Sequence, residues 1–239
     1  MKPALLEALL DLVYPRRCAG CGAPAHSAPG HLCWECRAAL TFINEAYCER
    51  CGDPVEGRVE HAFRCSACVD RPPHFDRARS AVRYRGAVCR LLQAFKYGQA
   101  PGLRGDLTPL LEACVRTHYG QEPLDAVTFV PLHPRRERER TYNQSRLLAD
   151  SLARALGLAP AAACLRRVRA TPTQTNLTAA QRRDNVRGAF AASEPRWIEG
   201  RRLLLVDDVM TTGATVNECA RVLKAAGAAA VWVATVARG

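Results

Sequence analysis

No apolar stretch of the 239-residue chain is long enough to cross a bilayer, which argues against a helical membrane protein. The leucine-rich start, Ala4 to Val13, is interrupted by Glu7 and Asp11, and no small-residue cleavage site follows it. It reads as an amphipathic helix packed on the body rather than an export signal, and a cytoplasmic location is expected. Acidic residues are also in short supply. Against 34 Lys and Arg there are 23 Asp and Glu, giving a formal net charge of +11 and a pI near 9.3. That balance favours acidic partners and says nothing about fold. The hydrophobic fraction of 48% is ordinary for a folded chain, and the length allows one or two domains with ample core.

Cysteine, by contrast, is abundant. Eight of the twelve form four C-x2-C pairs, Cys18/Cys21, Cys33/Cys36, Cys48/Cys51 and Cys65/Cys68. Without an export signal, disulfides are disfavoured and metal thiolates are the natural reading. Two thiolates three residues apart reach one tetrahedral zinc through a tight turn, and two such turns close a site. Cys18-Ala19-Gly20-Cys21-Gly22 recurs as Cys48-Glu49-Arg50-Cys51-Gly52, each with a second pair downstream, after eleven residues in the first unit and thirteen in the second. The repeat predicts two sequential four-cysteine ribbons, with interleaved pairing as the alternative. Four thiolates leave no open position, so both zinc ions are expected to be structural, and the segment is expected to need them to fold. His26, His31, His61 and His74 are read as surface residues. Cys89, Cys114, Cys164 and Cys219 are read as small buried hydrophobes.

A Pro-Pro break at Arg71-Pro72-Pro73-His74 ends the cysteine region, so the expected division is residues 1–72 and 73–239. Beyond it strand and helix patterns alternate. Strands are expected at Arg77–Tyr84, Ala126–Leu132, Leu203–Val206 and Ala230–Val236. Helices are expected at Val88–Tyr97, Asp106–Tyr119, Gln144–Leu156 (ended by Gly157) and Val216–Ala226. Alternation of this kind implies a mainly parallel sheet covered on both faces, with ligands at the carboxyl ends of its strands. At one such end stand Asp207 and Asp208, followed by Thr211-Thr212-Gly213-Ala214-Thr215 and a helix. Strand, tight loop and helix aim backbone N–H groups at an anion, and paired carboxylates suit a vicinal diol. The combination describes a site for a ribose 5-phosphate. No Lys follows Gly213, so a nucleoside-triphosphate P-loop lacks its charge.

A second strand end, Val127 to Val130, runs into Pro131-Leu132-His133 and the cationic stretch Pro134 to Arg140. Beside a phosphate site, a loop this basic suits a highly charged leaving group such as pyrophosphate. A charge run is more often a solvated face, and Glu137 and Glu139 partly neutralise this one.

The run from Leu203 to Thr215 resembles the phosphoribosyl-pyrophosphate (PRPP) motif of type I phosphoribosyltransferases. Further stretches narrow the likeness: Leu92 to Gly98, Val130-Pro131-Leu132, Arg140 to Gln144, Thr173 to Leu177, Arg182 to Val186 and Ala189-Phe190. Together with the cysteines they resemble the ComF competence proteins over essentially the whole chain. The resemblance implies a type I phosphoribosyltransferase fold, an α/β architecture behind a small N-terminal zinc-ribbon domain. It implies PRPP bound with magnesium, Asp207 and Asp208 on the ribose hydroxyls, and Thr211, Thr212, Gly213, Ala214 and Thr215 on the 5-phosphate. Pro131, Leu132 and Arg140 would form the pyrophosphate loop, and Arg166 to Val186 a flexible hood that excludes water. Relatives commonly carry Arg-Gly-Phe-Asn-Gln where this chain has Thr141 and Tyr142, so a backbone angle suited to glycine would be strained at Thr141.

Phosphoribosyl transfer leaves the acceptor and the catalytic base unassigned. Glutamine-dependent amidotransfer is not expected, since residue 2 is Lys rather than a nucleophilic Cys and no glutaminase region is present. The rival expectation is a non-catalytic protein that binds single-stranded DNA, or a partner of the competence machinery, and retains a phosphoribosyl pocket. Clustered arginines between Arg135 and Arg187 favour it, with Trp34, Tyr47 and Phe63 as stacking candidates. Either way the resemblance implies a part in DNA uptake.

Overall fold

The computed structural model describes residues 17–25, 30–44, 46–57, 61–171 and 178–239. The helix expected over Ala4–Val13, the Thr173–Leu177 stretch and His26 lie outside them. Two five-residue helices, α1 (Trp34–Ala38) and α2 (Ser66–Asp70), follow the N-cap residues Cys33 and Cys65 and carry Cys36 and Cys68, the other member of each ribbon's second pair. The body then runs β1 (Arg77–Arg83), α3 (Ala87–Tyr97), α4 (Arg104–Tyr119), β2 (Ala126–Phe129), α5 (Pro134–Arg140), α6 (Gln144–Ala155) and β3 (Leu165–Arg167). It ends with α7 (Ala179–Val186), β4 (Phe190–Ala192), α8 (Pro195–Ile198), β5 (Arg202–Met210), α9 (Ala214–Ala225) and β6 (Ala230–Arg238).

Leu203, Leu204, Leu205 and Val206 are all buried because successive side chains of a strand point to opposite faces and here both faces are covered. The sheet is wholly parallel in the order β1-β6-β5-β2. On one face Leu204, Val206, Trp232 and Ala234 pack with α3, α4 and α6, whose Leu91, Leu92, Phe95, Leu107, Leu111, Leu148 and Leu152 recur at helical spacing. On the other, Leu203, Leu205, Val231 and Val233 pack against Val216, Ala220 and Leu223 of α9. Gly157, at φ +70°, turns the chain out of α6 as expected.

The ribbons are built into these same cores. Leu32, Cys33 and Cys36 pack with the α3–α4 face, and Cys48, Cys51 and Cys68 with Phe75 and the α9 face. Buried Asp106 latches the first ribbon: it accepts from the His31 N–H at 3.0 Å and the Arg37 guanidinium at 3.0 Å, with His31 Nδ1 2.9 Å away. His31 is exposed, as expected, and its backbone N–H and ring also hold Asp106 of α4.

Three further differences from the sequence expectations have physical causes. β5 runs on through Asp207 and Asp208 to Met210 because β6 pairs with it that far, Met210 opposite Arg238. The cationic stretch is a short helix, α5: His133 caps Arg135 N at 3.3 Å, Pro134 opens it and Arg135–Glu139 bridges one turn. The hood expected over Arg166 to Val186 begins in β3, which pairs antiparallel with β4 beyond the hood's end, and it includes α7, capped by a reciprocal Thr178–Gln181 capping box. Of the aromatic candidates, Trp34 is 58% exposed. Tyr47 lies under the Arg79 guanidinium at 4.5 Å, and Phe63 packs on the second core.

Candidate functional site

Each cysteine quartet converges on a point. The sulfurs of Cys18, Cys21, Cys33 and Cys36 lie within 4.8 Å of one another, as do those of Cys48, Cys51, Cys65 and Cys68. Sequential pairing is thus the arrangement found. Cys21 to Cys33 and Cys51 to Cys65 are each 3.7 Å, close to the roughly 3.8 Å edge of a tetrahedron with Zn–S bonds of about 2.3 Å. N–H groups of Gly20 and Cys33 reach Cys18 Sγ at 3.3 and 3.2 Å, and that of Cys65 reaches Cys48 Sγ at 3.4 Å. Burial opposes charge on both sulfurs, but backbone amides outweigh it: those of Cys33, Gly20 and Cys21 bring the Cys18 thiol pKa down to about 6, and those of Cys51, Cys65 and Arg50 bring that of Cys48 down to about 7. Burial and the neighbouring thiolate push Cys51 up to about 12. A thiophilic dication satisfies this arrangement, and four sulfurs leave no coordination position for chemistry.

The second constellation sits at the carboxyl ends of β5 and β2. Asp207 and Asp208 occupy adjacent positions near the end of β5, so they diverge to opposite sides of the strand. Ser145 Oγ, from the first turn of α6, donates to Asp207 Oδ1 at 2.8 Å, and the Asp208 N–H donates to the same oxygen at 2.9 Å. Lys96 Nζ, from the last turn of α3, pairs with Asp208 Oδ1 at 3.1 Å. Burial first, and then the Asp208 charge, raise Asp207 to about 7 despite Ser145, Lys96 and the amide. Burial would lower Lys96, but the two carboxylates outweigh it and hold its pKa above the ordinary lysine value.

Gly213 caps α9 at φ +74°, and a Cβ there would lie 2.7 Å from Met210 Cε. A left-handed residue at this point turns the Thr211–Gly213 loop onto the helix N-terminus. A recess of about 70 Å³ is lined by Asp207 and residues 209–216. Beside it, a cleft of about 240 Å³ is lined by Lys96, Tyr97, Gln99, Arg136, Glu139 and Arg140. Arg140 donates to Gln144 Oε1 at 3.1 Å and to the Tyr97 hydroxyl at 3.2 Å, and lies over the Tyr97 ring at 4.7 Å. From the hood, Arg182 donates to Thr211 Oγ1 at 3.0 Å.

The structure thus gathers Asp207 and Thr211 to Thr215 in one recess, joins Asp208 to it through the strand, and sets Arg140 in the neighbouring cleft. Pro131 and Leu132 follow β2 but line neither. Thr141 adopts φ +68°, the angle that the departure from glycine called into question. Lys96 and Ser145 were not assigned roles from sequence, and Arg182 was placed in the hood and the arginine cluster but not at the Thr211 loop. Lys96 did carry a signal: only three of the 34 basic residues are lysine, and it is one of them.

Parallel sheet, double cysteine quartet and acidic strand end together define a phosphoribosyltransferase-type domain behind a zinc-binding module. Residues 9–69 match the double zinc ribbon domain family and residues 143–239 the phosphoribosyl transferase domain family. The chain is 35% identical over 221 residues to the DNA utilization protein YhgH of Salmonella typhimurium, covering 87% of this chain and 96% of that one. It is 33% identical over 227 residues to Competence protein F of Haemophilus influenzae, covering 93% and 96%. The chain belongs to the ComF competence protein family, and the paired cysteine quartets are the zinc sites of its ribbons. The solved structure of the allosteric regulatory enzyme of purine biosynthesis overlaps 60% of this chain and 29% of that one, at 24% identity and a TM-score of 0.41.

Proposed function

We propose that the chain binds PRPP with Mg²⁺ at the end of β5 and acts in DNA uptake, as the names of its relatives suggest for them. The observation that carries this reading is the recess itself. Asp207 stands on one side, and on the other the Thr211–Thr215 loop is bent by a left-handed Gly213 onto a twelve-residue helix. In this reading Asp207 and Asp208 accept hydrogen bonds from the ribose hydroxyls, and Thr211, Thr212, Gly213, Ala214 and Thr215 hold the 5-phosphate. Arg140 faces the pyrophosphate from the neighbouring cleft, and Pro131 and Leu132 form the start of the same loop after β2. Mg²⁺ would neutralise the pyrophosphate and offset the carboxylate pair. Lys96 does part of that work in the free protein, so ligand binding exchanges the Lys96–Asp208 pair for the incoming cation.

If transfer occurs, the hood, Arg166 to Val186 with α7 in it, covers the site and keeps water from the cationic transition state. No residue at the recess is assigned as a base, and the acceptor is left open. A non-catalytic reading is favoured by the exposure of Arg135, Arg138, Arg146, Arg166 and Arg183 around the same end of the molecule. They would serve single-stranded DNA or an acidic partner in the competence machinery.

The test is calorimetric titration of PRPP into zinc-loaded protein, with and without Mg²⁺, beside Asp207→Asn/Asp208→Asn. Micromolar, Mg²⁺-dependent binding that the variant loses supports the reading. A folded wild type that binds no PRPP rejects it and makes salt-dependent DNA binding the leading account.

A further inference from the structure

An ion pair at Arg238 joins the second zinc ribbon to the recess loop. Arg238, the last residue of β6, is 8% exposed, and its guanidinium lies across the tips of β5 and β6. Its Nη1 donates to Met210 O at 3.1 Å, to Gly239 O at 2.9 Å and to Thr211 O. Its Nη2 pairs with Asp53 Oδ1 at 3.0 Å. Asp53 belongs to the ribbon: it stands two residues after Cys51, and its carbonyl accepts from the N–H of Cys48 at 2.8 Å. Between them Gly52, at φ +66°, presses on β1 so closely that a Cβ would lie 2.5 Å from Ala78 O. The ribbon loop that presents Asp53 is therefore fixed at both ends, by a zinc-ligand amide and by the sheet.

The consequence for the recess follows from peptide geometry. Across a planar trans peptide, C=O and N–H point in opposite directions. Arg238 holds the carbonyls of Met210 and Thr211, so the N–H groups of Thr211 and Thr212, on the same two peptides, are turned the other way. Among the described residues neither amide meets a hydrogen-bond acceptor. Two amides aimed together and left without partners are the donors an anion at a helix N-terminus requires.

The geometry points to Arg238 and Asp53 as positioning residues that couple zinc in the second ribbon to anion binding in the Thr211–Thr215 loop. This rests on the proposal that the loop holds the 5-phosphate. Because coupling free energies are reciprocal, zinc in the ribbon strengthens PRPP binding and PRPP tightens zinc binding in the ribbon by the same factor.

The test compares Asp53→Asn with Asp106→Asn, which loosens the first ribbon at its latch and does not touch the loop. Both are made in full-length, zinc-loaded protein, with zinc content and thermal midpoint recorded. Asp53→Asn is expected to keep both zinc ions and weaken PRPP about tenfold, within the range of ordinary coupling. Asp106→Asn is expected to leave affinity unchanged. Equal weakening in both variants, or none in Asp53→Asn, overturns the inference. A second arm needs no PRPP. In ¹⁵N-labelled protein, Asp53→Asn is expected to shift the Thr211 and Thr212 amide resonances while those of residues 221–225 stay in place, and unmoved Thr211 and Thr212 resonances refute the relay. If wild type binds no PRPP, that result alone counts against the functional proposal, and the resonance arm still decides the relay.

Discussion

Asp207→Asn should make the ligand-free protein more stable at pH 8, and by an amount that depends on pH. The carboxyl sits beside Asp208 on the floor of the recess and is raised from 3.8 to about 7, by burial first and the neighbouring charge second. The folded state thus holds this proton more tightly than the unfolded chain does. Between 3.8 and about 7 the native protein carries the extra proton, so its stability falls as pH rises through that window. Converted in full, such a shift would be worth about 4 kcal/mol, and water at the open side of the recess screens part of it, leaving about 2 kcal/mol. The amide introduced by the substitution would keep an oxygen for Ser145 and for the Asp208 N–H, now 2.8 and 2.9 Å from Oδ1, while removing the charge. Urea unfolding of both proteins from pH 5 to pH 8, with zinc constant and Mg²⁺ absent, reads the effect as a difference between them. Loss of zinc in acid cancels in that difference. The variant should gain on the wild type steadily, reaching an advantage of about 2 kcal/mol at pH 8. A pH-independent difference, or a wild type more stable at pH 8, would refute the reasoning.

Lys96→Met leaves Asp208 buried without the ammonium now 3.1 Å away and should cost about 3 kcal/mol in thermal unfolding. Combining it with Asp208→Asn should restore most of that loss, and additive losses would mean the two do not interact. Thr141→Gly relieves a β-branched residue at φ +68° and should raise stability by about 1 kcal/mol in urea, with a decrease counting against the left-handed backbone. Cys21→Ser with Cys33→Ser removes two ligands of one quartet, so elemental analysis should find one zinc left per chain. Loss of both ions would mean that these two cysteines serve different sites.

What was legible in the sequence was mostly local, and what was not depended on a distant partner. Cysteine spacing sufficed for the quartets because each C-x2-C turn is closed by its own backbone, as Gly22 N to Cys18 O and Gly52 N to Cys48 O show. The loop at Thr211–Thr215 was legible for the same reason, its glycine being demanded by a local φ of +74°. The length of β5 was not: its own apolar run stops at Val206, and only pairing with β6 carries it through the aspartates. The α5 segment misled because a charge run has no apolar face to show periodicity, and its helix rests on a cap and one ion pair instead.

The carboxylate pair shows where this limit bears on function. Asp207 and Asp208 are conspicuous in any reading of the chain, but their adjacency says only that two like charges are close. Ser145 is 62 residues from Asp207 in sequence and Lys96 lies farther still from Asp208, each delivered by a helix that packs on the sheet for apolar reasons. The first makes one carboxylate an oriented acceptor, and the second supplies a cation to the other. Adjacent acids on a strand are otherwise a destabilising arrangement, tolerable on a solvated surface and expensive in a recess. Packing therefore converts a local motif into a site whose charge is only half balanced, and that imbalance is the physical reason to expect a cation-bearing ligand there.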